Sequence, residues 1–421
     1  MKKVAVGKSV PRAEGLSKVT GTAKFPADYS LPGMLYGKTL RTPLASAKIV
    51  RIDTSKAEAL KGVVRVVTAK DIPGENGHGV LFPDAPILAK DRIRSVNDAV
   101  ALVAAETEEI AEEALGLIEV EYEELPAVFD PREAMKPGAP LVKDEGNILY
   151  HLPIRKGDVE KGFAEADVIV ENTYSTQMVD HAFLQPEAAL SYIDEMGNLV
   201  LRVATQYVHW DRYEIARALN ISVNRVRVIC TAVGGAFGGR EDMTVQIHCS
   251  LLTWLTKRPV KMVYSREESF FAHSKRHPIY MEYKTGCTKD GKLTAVEAKI
   301  IGDAGAYSSW SPNILRKAAV HATGPYYVPN VKVDAYAVHT NNPFTGAMRG
   351  FGAAQPPIAY EAQMDLLAEK LGLHPFTIRW RNAFEEGSET ATGQILETSV
   401  GLKDALLSAA KAFGWDVEKL F

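Results

Sequence analysis

The chain has 421 residues, of which 46% are hydrophobic and 24% charged, with 49 basic against 52 acidic side chains and a formal net charge of −3. At roughly 150 residues per domain this length suits two or three domains with buried cores. The lack of a basic excess gives no footing for a phosphate-neutralising, nucleic-acid-binding surface. The three cysteines, Cys230, Cys249 and Cys287, form no C-x-x-C pair. That argues against a disulfide framework, a zinc ribbon or an iron–sulfur cluster ligated by this chain alone, and suits a reducing, cytoplasmic compartment.

The opening residues carry two lysines but no apolar run, so no secretory signal is expected. Lys56 to Lys61 is expected to be a helix closed by Gly62, with Val63 to Val67 following as a buried strand. Thr107 to Leu115 has a helical pattern with acidic residues in its first turn, where the macrodipole favours them. Ile118, Val120 and Tyr122 alternate with glutamates, the period of a strand with one wet face. Pro131 to Pro140, rich in Pro and Gly, is the expected domain boundary.

Beyond it, Leu199 to Ala204 is expected as a strand entered through a Gly197-Asn198 turn. Asp211, with Glu214 three positions on, is expected to open a helix through a capping box. Arg225 to Cys230 is a further strand, followed by a glycine-rich loop and an uncharged helix within Met243 to Thr256, too short to span a bilayer. Val260 to Tyr264 is a strand, and Lys289 to Lys292 a hairpin turn. Gln363 to Leu371 is a helix ending at Gly372, and Pro375 opens another. Strands and helices mix without a regular βαβ beat, which favours an α+β class.

Three segments could carry chemistry. Gly234-Gly235-Ala236-Phe237-Gly238-Gly239-Arg240-Glu241 is neither a dinucleotide fingerprint nor a Walker loop. Its glycines permit close approach of backbone amides to a ligand, although a tight strand–helix turn around a buried Phe accounts for the loop equally well. Glu241 reads either as a helix N-terminal carboxylate or as a group that bonds a cofactor or substrate edge. Gly346-Ala347-Met348-Arg349-Gly350-Phe351-Gly352 offers a guanidinium fork beside an aromatic ring, or an exposed Arg on a loop. Gln206 ends a strand, where side chains often meet ligands, although a lone Gln is more often structural or solvated. No H-E-x-x-H or G-x-S-x-G occurs; His181 and His209 stand apart, while His248 and Cys249 read as core residues.

Several stretches in order, KVTGTAKFPADYSLPGMLYGKTLRTPLASAKI (residues 18 to 49), DHAFLQPEAAL, TQYVHWDRYEIARALNI, VGGAFGGRED, NNPFTGAMRGFG and EAQMDLLAEKLGL, resemble the molybdopterin-binding subunit of the xanthine dehydrogenase family of molybdenum hydroxylases. The resemblance implies an α/β hammerhead domain over residues 1–130, a linker over 131–150 and the first molybdopterin-binding domain over 151–421. It places Gln206, Phe237 and Arg349 around the molybdenum without ligating it, and adds Gly235 and Gly238 to the cofactor surface. Phe351 would stack on flat substrates. Glu241 would bond substrate, as in purine-oxidising members; aldehyde-oxidising members tend to be apolar there. The family's purine-orienting arginine falls at Lys317, with Arg316 beside it, which weakens bidentate recognition of xanthine. The cysteine of carbon monoxide dehydrogenases is absent from GAMRGFG, and Gln185 stands where many relatives have Glu.

The resemblance further implies oxidative hydroxylation of an N-heteroaromatic, a purine such as xanthine or hypoxanthine, or nicotinate, with water as oxygen source. The general-base glutamate has no candidate here and is expected on a second molybdopterin-binding subunit. [2Fe-2S] clusters and FAD are expected on an iron–sulfur subunit and an FAD subunit, and the pterin could be a cytosine dinucleotide. The alternatives are an aldehyde oxidoreductase-type subunit and a non-catalytic half-subunit scaffold.

Overall fold

The computed structural model describes residues 6–420. The N-terminal region supplies β1 (Leu35–Arg41), β2 (Ala47–Asp53), β3 (Val63–Thr68), β4 (Arg92–Ile93), β5 (Ala99–Ala105) and β6 (Glu119–Glu124). The remainder supplies β7 (Ile148–Lys156), β8 (Val168–Ser175), β9 (Ala188–Ile193), β10 (Leu199–Val203), β11 (Val226–Cys230), β12 (Val260–Val263), β13 (Ile279–Cys287), β14 (Leu293–Gly305) and β15 (Asn330–His339). Mixed parallel and antiparallel pairing with helices outside the sheets makes this an α+β fold.

The largest sheet crosses the two regions of sequence. Its seven strands run β11-β10-β9-β12-β1-β5-β3, joined where β1 pairs in parallel with β12, Leu35 opposite Val260. Helices Val208–Leu219 and Gln246–Thr256 cover it, burying Leu35, Leu102, Leu201, Ile215 and Leu251 in one cluster. Fully burying each such side chain contributes about 1.5–3 kcal/mol, so the two regions share a core. A five-stranded sheet, β7-β15-β14-β13-β8, packs against helices Ser311–Val320 and Pro356–Leu371. The third sheet is β4-β2-β6.

The segment 131–150 holds a short helix, Pro131–Ala134, capped by Asp130, and the first residues of β7. Buried Asn147 ties it down, accepting from Val142 N and donating to the Ala134 and Pro140 carbonyls.

Several expectations shift. The first is the capping box. The helix starts at Val208, so Asp211 and Glu214 lie inside it with Ile215 and Ala218, all buried. Their 0, 3, 4, 7 spacing is the inward stripe, where two carboxylates replace apolar residues. Of β3 only the C-terminal half is buried. The early helix is Ser55–Ala59, and the late one starts at Pro356 rather than Gln363, with Pro at its first turn. The uncharged helix starts at Gln246, so Glu241 is no helix N-terminal carboxylate. His248 and Cys249 are core residues as expected: the His Nε2 lies 2.9 Å from the Ile87 carbonyl, and burial pushes the thiol up to about 12.

Candidate functional site

Because β10 and β11 run parallel, with Val203 opposite Cys230, both release their following residues at the same sheet edge. Gln206 leaves β10 there, and Thr231 onward leaves β11 as the glycine-rich loop. The Gln206 carboxamide oxygen accepts from Gly238 N at 3.0 Å and Arg240 N at 3.4 Å, while its Nε2 donates to Glu241 Oε1 at 3.2 Å. One exposed side chain thus holds the loop's tip and touches the carboxylate beyond it.

The loop is pinned from the inside by Arg240. This buried guanidinium donates to the Gly235 carbonyl at 2.8 Å and the Gln185 carbonyl at 2.6 Å, and lies over the Phe183 ring. Gln185 has a clear part here, since its side-chain oxygen accepts from Gly234 N at 2.7 Å. Phe237 is not the buried ring of a simple turn: it sits at φ +53° and is 50% exposed.

The second glycine-bordered loop meets the first directly. Arg349 N donates to the Phe237 carbonyl at 2.9 Å, and Arg276 donates to the Arg349 carbonyl at 2.7 Å. A Cβ on Gly238 (φ +103°) would stand 2.5 Å from the Ala347 carbonyl oxygen, so the contact requires glycine. The His181 ring nitrogen Nε2 lies 2.7 Å from that same carbonyl, and burial lowers the imidazole to about 4. The ring is therefore neutral at pH 7 and donates from Nε2. The Arg349 side chain is exposed and has no hydrogen-bond partner among the described residues.

Beside the loops stands an aromatic wall. Tyr207, Trp310 and Phe351 pack edge to face in series, with centroids 6.5 and 5.6 Å apart. Lys317 Nζ lies 6.0 Å from the Phe351 ring centre, whereas Arg316, equally exposed on the same helix, makes no such contact. Glu241 faces the wall's other end. Burial raises its carboxyl above the ordinary range and Asp242 adds to that, against nearby Tyr207, Trp310 and Gln206, which favour the charged form. Tyr207, Trp310, His181 and Arg240 were not picked out from the sequence as site residues. Two of them adjoin residues that were; Trp310 carries no local signal.

A family model described as molybdopterin cofactor-binding domain matches residues 142–383, and one described as aldehyde oxidase and xanthine dehydrogenase, a/b hammerhead domain, matches 20–126. The chain is 47% identical over 404 residues to the nicotinate dehydrogenase large molybdopterin subunit of Eubacterium barkeri, covering 96% of this chain and 95% of that one. The chain belongs to the xanthine dehydrogenase family of molybdenum-containing oxidoreductases.

Within that family it is a molybdopterin-binding large subunit. It is also 42% identical to a probable xanthine dehydrogenase subunit of Bacillus subtilis, over 88% of this chain and 50% of that one. The aldehyde oxidoreductase from Desulfovibrio gigas superposes with a TM-score of 0.91 at 32% identity, over 96% of this chain and 46% of that one. The chain thus spans about half the length of these two relatives.

The residues present fit the family's cofactor. Among the described residues no group of three or more His, Cys, Asp or Glu could hold a metal ion. The exposed Arg349 guanidinium, without a hydrogen-bond partner among the described residues, is a donor that suits electron-rich oxygen or sulfur atoms, while the exposed Gln206 amide bonds Gly238, Arg240 and Glu241. The surface between them is a glycine backbone too close to the second loop to bear a side chain.

Proposed function

We propose that this chain forms one half of the active site of a molybdenum hydroxylase that oxidises an N-heteroaromatic substrate, a pyridine carboxylate such as nicotinate ahead of a purine, with water as oxygen source. The observation that carries this reading is the joining of Gln206, the Phe237 loop and Arg349 on one face, beside a wall of three aromatic rings.

When bound, the molybdopterin supplies the two-electron acceptor and the oxygen-transfer centre. Gln206 and Arg349 offer hydrogen bonds toward its metal end, and Gly235, Phe237 and Gly238 form the surface it lies against. Phe351 and Trp310 orient a flat ring by stacking and edge contacts. Glu241 keeps its proton to higher pH than an exposed carboxyl does, so it can exchange a hydrogen bond with a ring nitrogen. Lys317, a compact ammonium rather than a guanidinium fork, suits a ring carboxylate more than the paired acceptors of xanthine.

The general base is assigned to a second molybdopterin-binding subunit, and the [2Fe-2S] clusters and FAD to further partners in a cytoplasmic complex. The near full-length likeness to a protein named as a large molybdopterin subunit supports that division. A cytosine dinucleotide form of the pterin is part of the proposal. No helix among the described residues is long and apolar enough to cross a membrane.

The test is co-purification of the chain with its complex, metal analysis, and assay with nicotinate, hypoxanthine and benzaldehyde. Molybdenum in the complex with turnover of nicotinate supports the reading. Turnover of benzaldehyde alone replaces it with the aldehyde oxidoreductase reading, and a complex without molybdenum leaves the scaffold reading.

A further inference from the structure

Tyr307 to Ser309, between β14 and helix Ser311–Val320, is gripped residue by residue. The Tyr307 hydroxyl donates to Asp98 at 2.8 Å. Ser308 donates to Asp84 from its backbone N at 3.1 Å and from its hydroxyl at 2.8 Å. The Ser309 hydroxyl donates to Asp242 at 2.7 Å. Trp310 then approaches Glu241, the residue before Asp242. Asp84 and Asp98 belong to the N-terminal region; Asp242 and Glu241 follow the glycine-rich loop.

Ser309 is the strained member. It is a buried, non-glycine residue at φ +39°, a conformation that persists only when surroundings over-determine it. Here the surroundings are the two acids on the paired hydroxyls. Asp84 is itself fixed by Lys143 at 3.0 Å. A relaxed Ser309 would swing the next residue, and that residue is the central ring of the aromatic wall.

We propose that Asp84 and Asp242 act through Ser308 and Ser309 as positioning residues that aim Trp310 at the substrate ring, so that the N-terminal region helps to set substrate fit. The idea rests on the wall being the substrate surface, as proposed above. Trp310 reports on it without turnover.

The experiment uses the whole complex carrying Ser309→Ala, Ser308→Ala or Asp242→Asn, each paired with the same variant bearing Trp310→Phe, so that the difference isolates Trp310 emission. Ser309→Ala removes the hydroxyl bond that holds the strained backbone and adds no volume. The expected result is a red-shifted, more acrylamide-quenched Trp310 and a KM for nicotinate raised about fivefold, the effect of one net hydrogen bond, with kcat within about twofold. Asp242→Asn keeps an acceptor for Ser309, so its Trp310 difference spectrum is expected to match the parent's. An unchanged Trp310 difference spectrum in Ser309→Ala and Ser308→Ala overturns the proposal. If Ser309→Ala does not assemble, Ser308→Ala, which retains its backbone bond to Asp84, decides with the same sign. If the parent neither binds nor turns over nicotinate or hypoxanthine, the substrate reading falls while the spectrum still judges the positioning.

Discussion

The amide of Arg349 donates to the carbonyl of Phe237 at 2.9 Å, so the two glycine-bordered loops meet backbone to backbone. They are 112 positions apart in the chain by subtraction, 349 less 237, and arrive from different sheets. A backbone bond sets their spacing regardless of side-chain rotamers. That is the rigidity an oriented cofactor surface needs, because a misplacement of about 1 Å can cost on the order of a hundredfold in rate.

Gly238→Ala should break this joint. The new Cβ would meet the Ala347 carbonyl oxygen at 2.5 Å, at a φ of +103°. Strain of about 1–3 kcal/mol is expected, with the loops forced apart. Molybdenum content per complex should fall together with the melting temperature. Gly116→Ala, where a Cβ meets nothing within 4 Å, is the control and should lose neither.

Gln206→Leu removes the acceptor of two backbone amides and the donor to Glu241. The site is exposed to solvent, so the stability loss should stay near the lower end, about 1 kcal/mol. Activity should fall much further than stability. Equal, small losses in both would show that Gln206 does no more than tie the loop.

Asp211 should make stability pH-dependent. Burial raises its carboxyl from 3.8 to about 7. The folded chain therefore keeps a proton that the unfolded chain has released between those values. Its stabilisation is complete below the unfolded pKa and is lost as pH rises through about 7. Denaturant midpoints of the parent should fall relative to Asp211→Asn between about pH 4 and 7, then run parallel above. The full difference should be on the order of a few kcal/mol. A constant offset across that range would exclude the assignment.

Lys317→Met should raise the KM for nicotinate about tenfold and change that for an uncharged heteroaromatic little. Arg316→Met should leave both unchanged, because it is Lys317 that faces Phe351. Steady-state kinetics on the two variants decide between them.

His181→Phe should leave the Ala347 carbonyl without its 2.7 Å partner. The cost of a buried acceptor so orphaned is about 1–3 kcal/mol. It should register as a lower unfolding midpoint measured by circular dichroism.

Much of the arrangement was legible in the chain itself. Alternation and apolar runs located β10, β11 and β12, and the order of motifs from DHAFLQPE to GAMRGFG pointed to the family and to Gln206, Phe237 and Arg349. Those signals are local or ordinal, so they survive without coordinates. What they could not give is direction. Asp211 and Glu214 look like caps because acids are common there, and only packing on the large sheet shows that they face inward. Arg316 and Lys317 are equivalent in sequence, and the helix rotation against the five-stranded sheet decides which meets Phe351. The grip of three acids on Tyr307, Ser308 and Ser309 joins chain segments more than 60 residues apart by long-range contacts. Sequence settles which chemical groups are available and in what order; the tertiary structure settles which of them meet, because packing alone fixes the relative placement of distant segments.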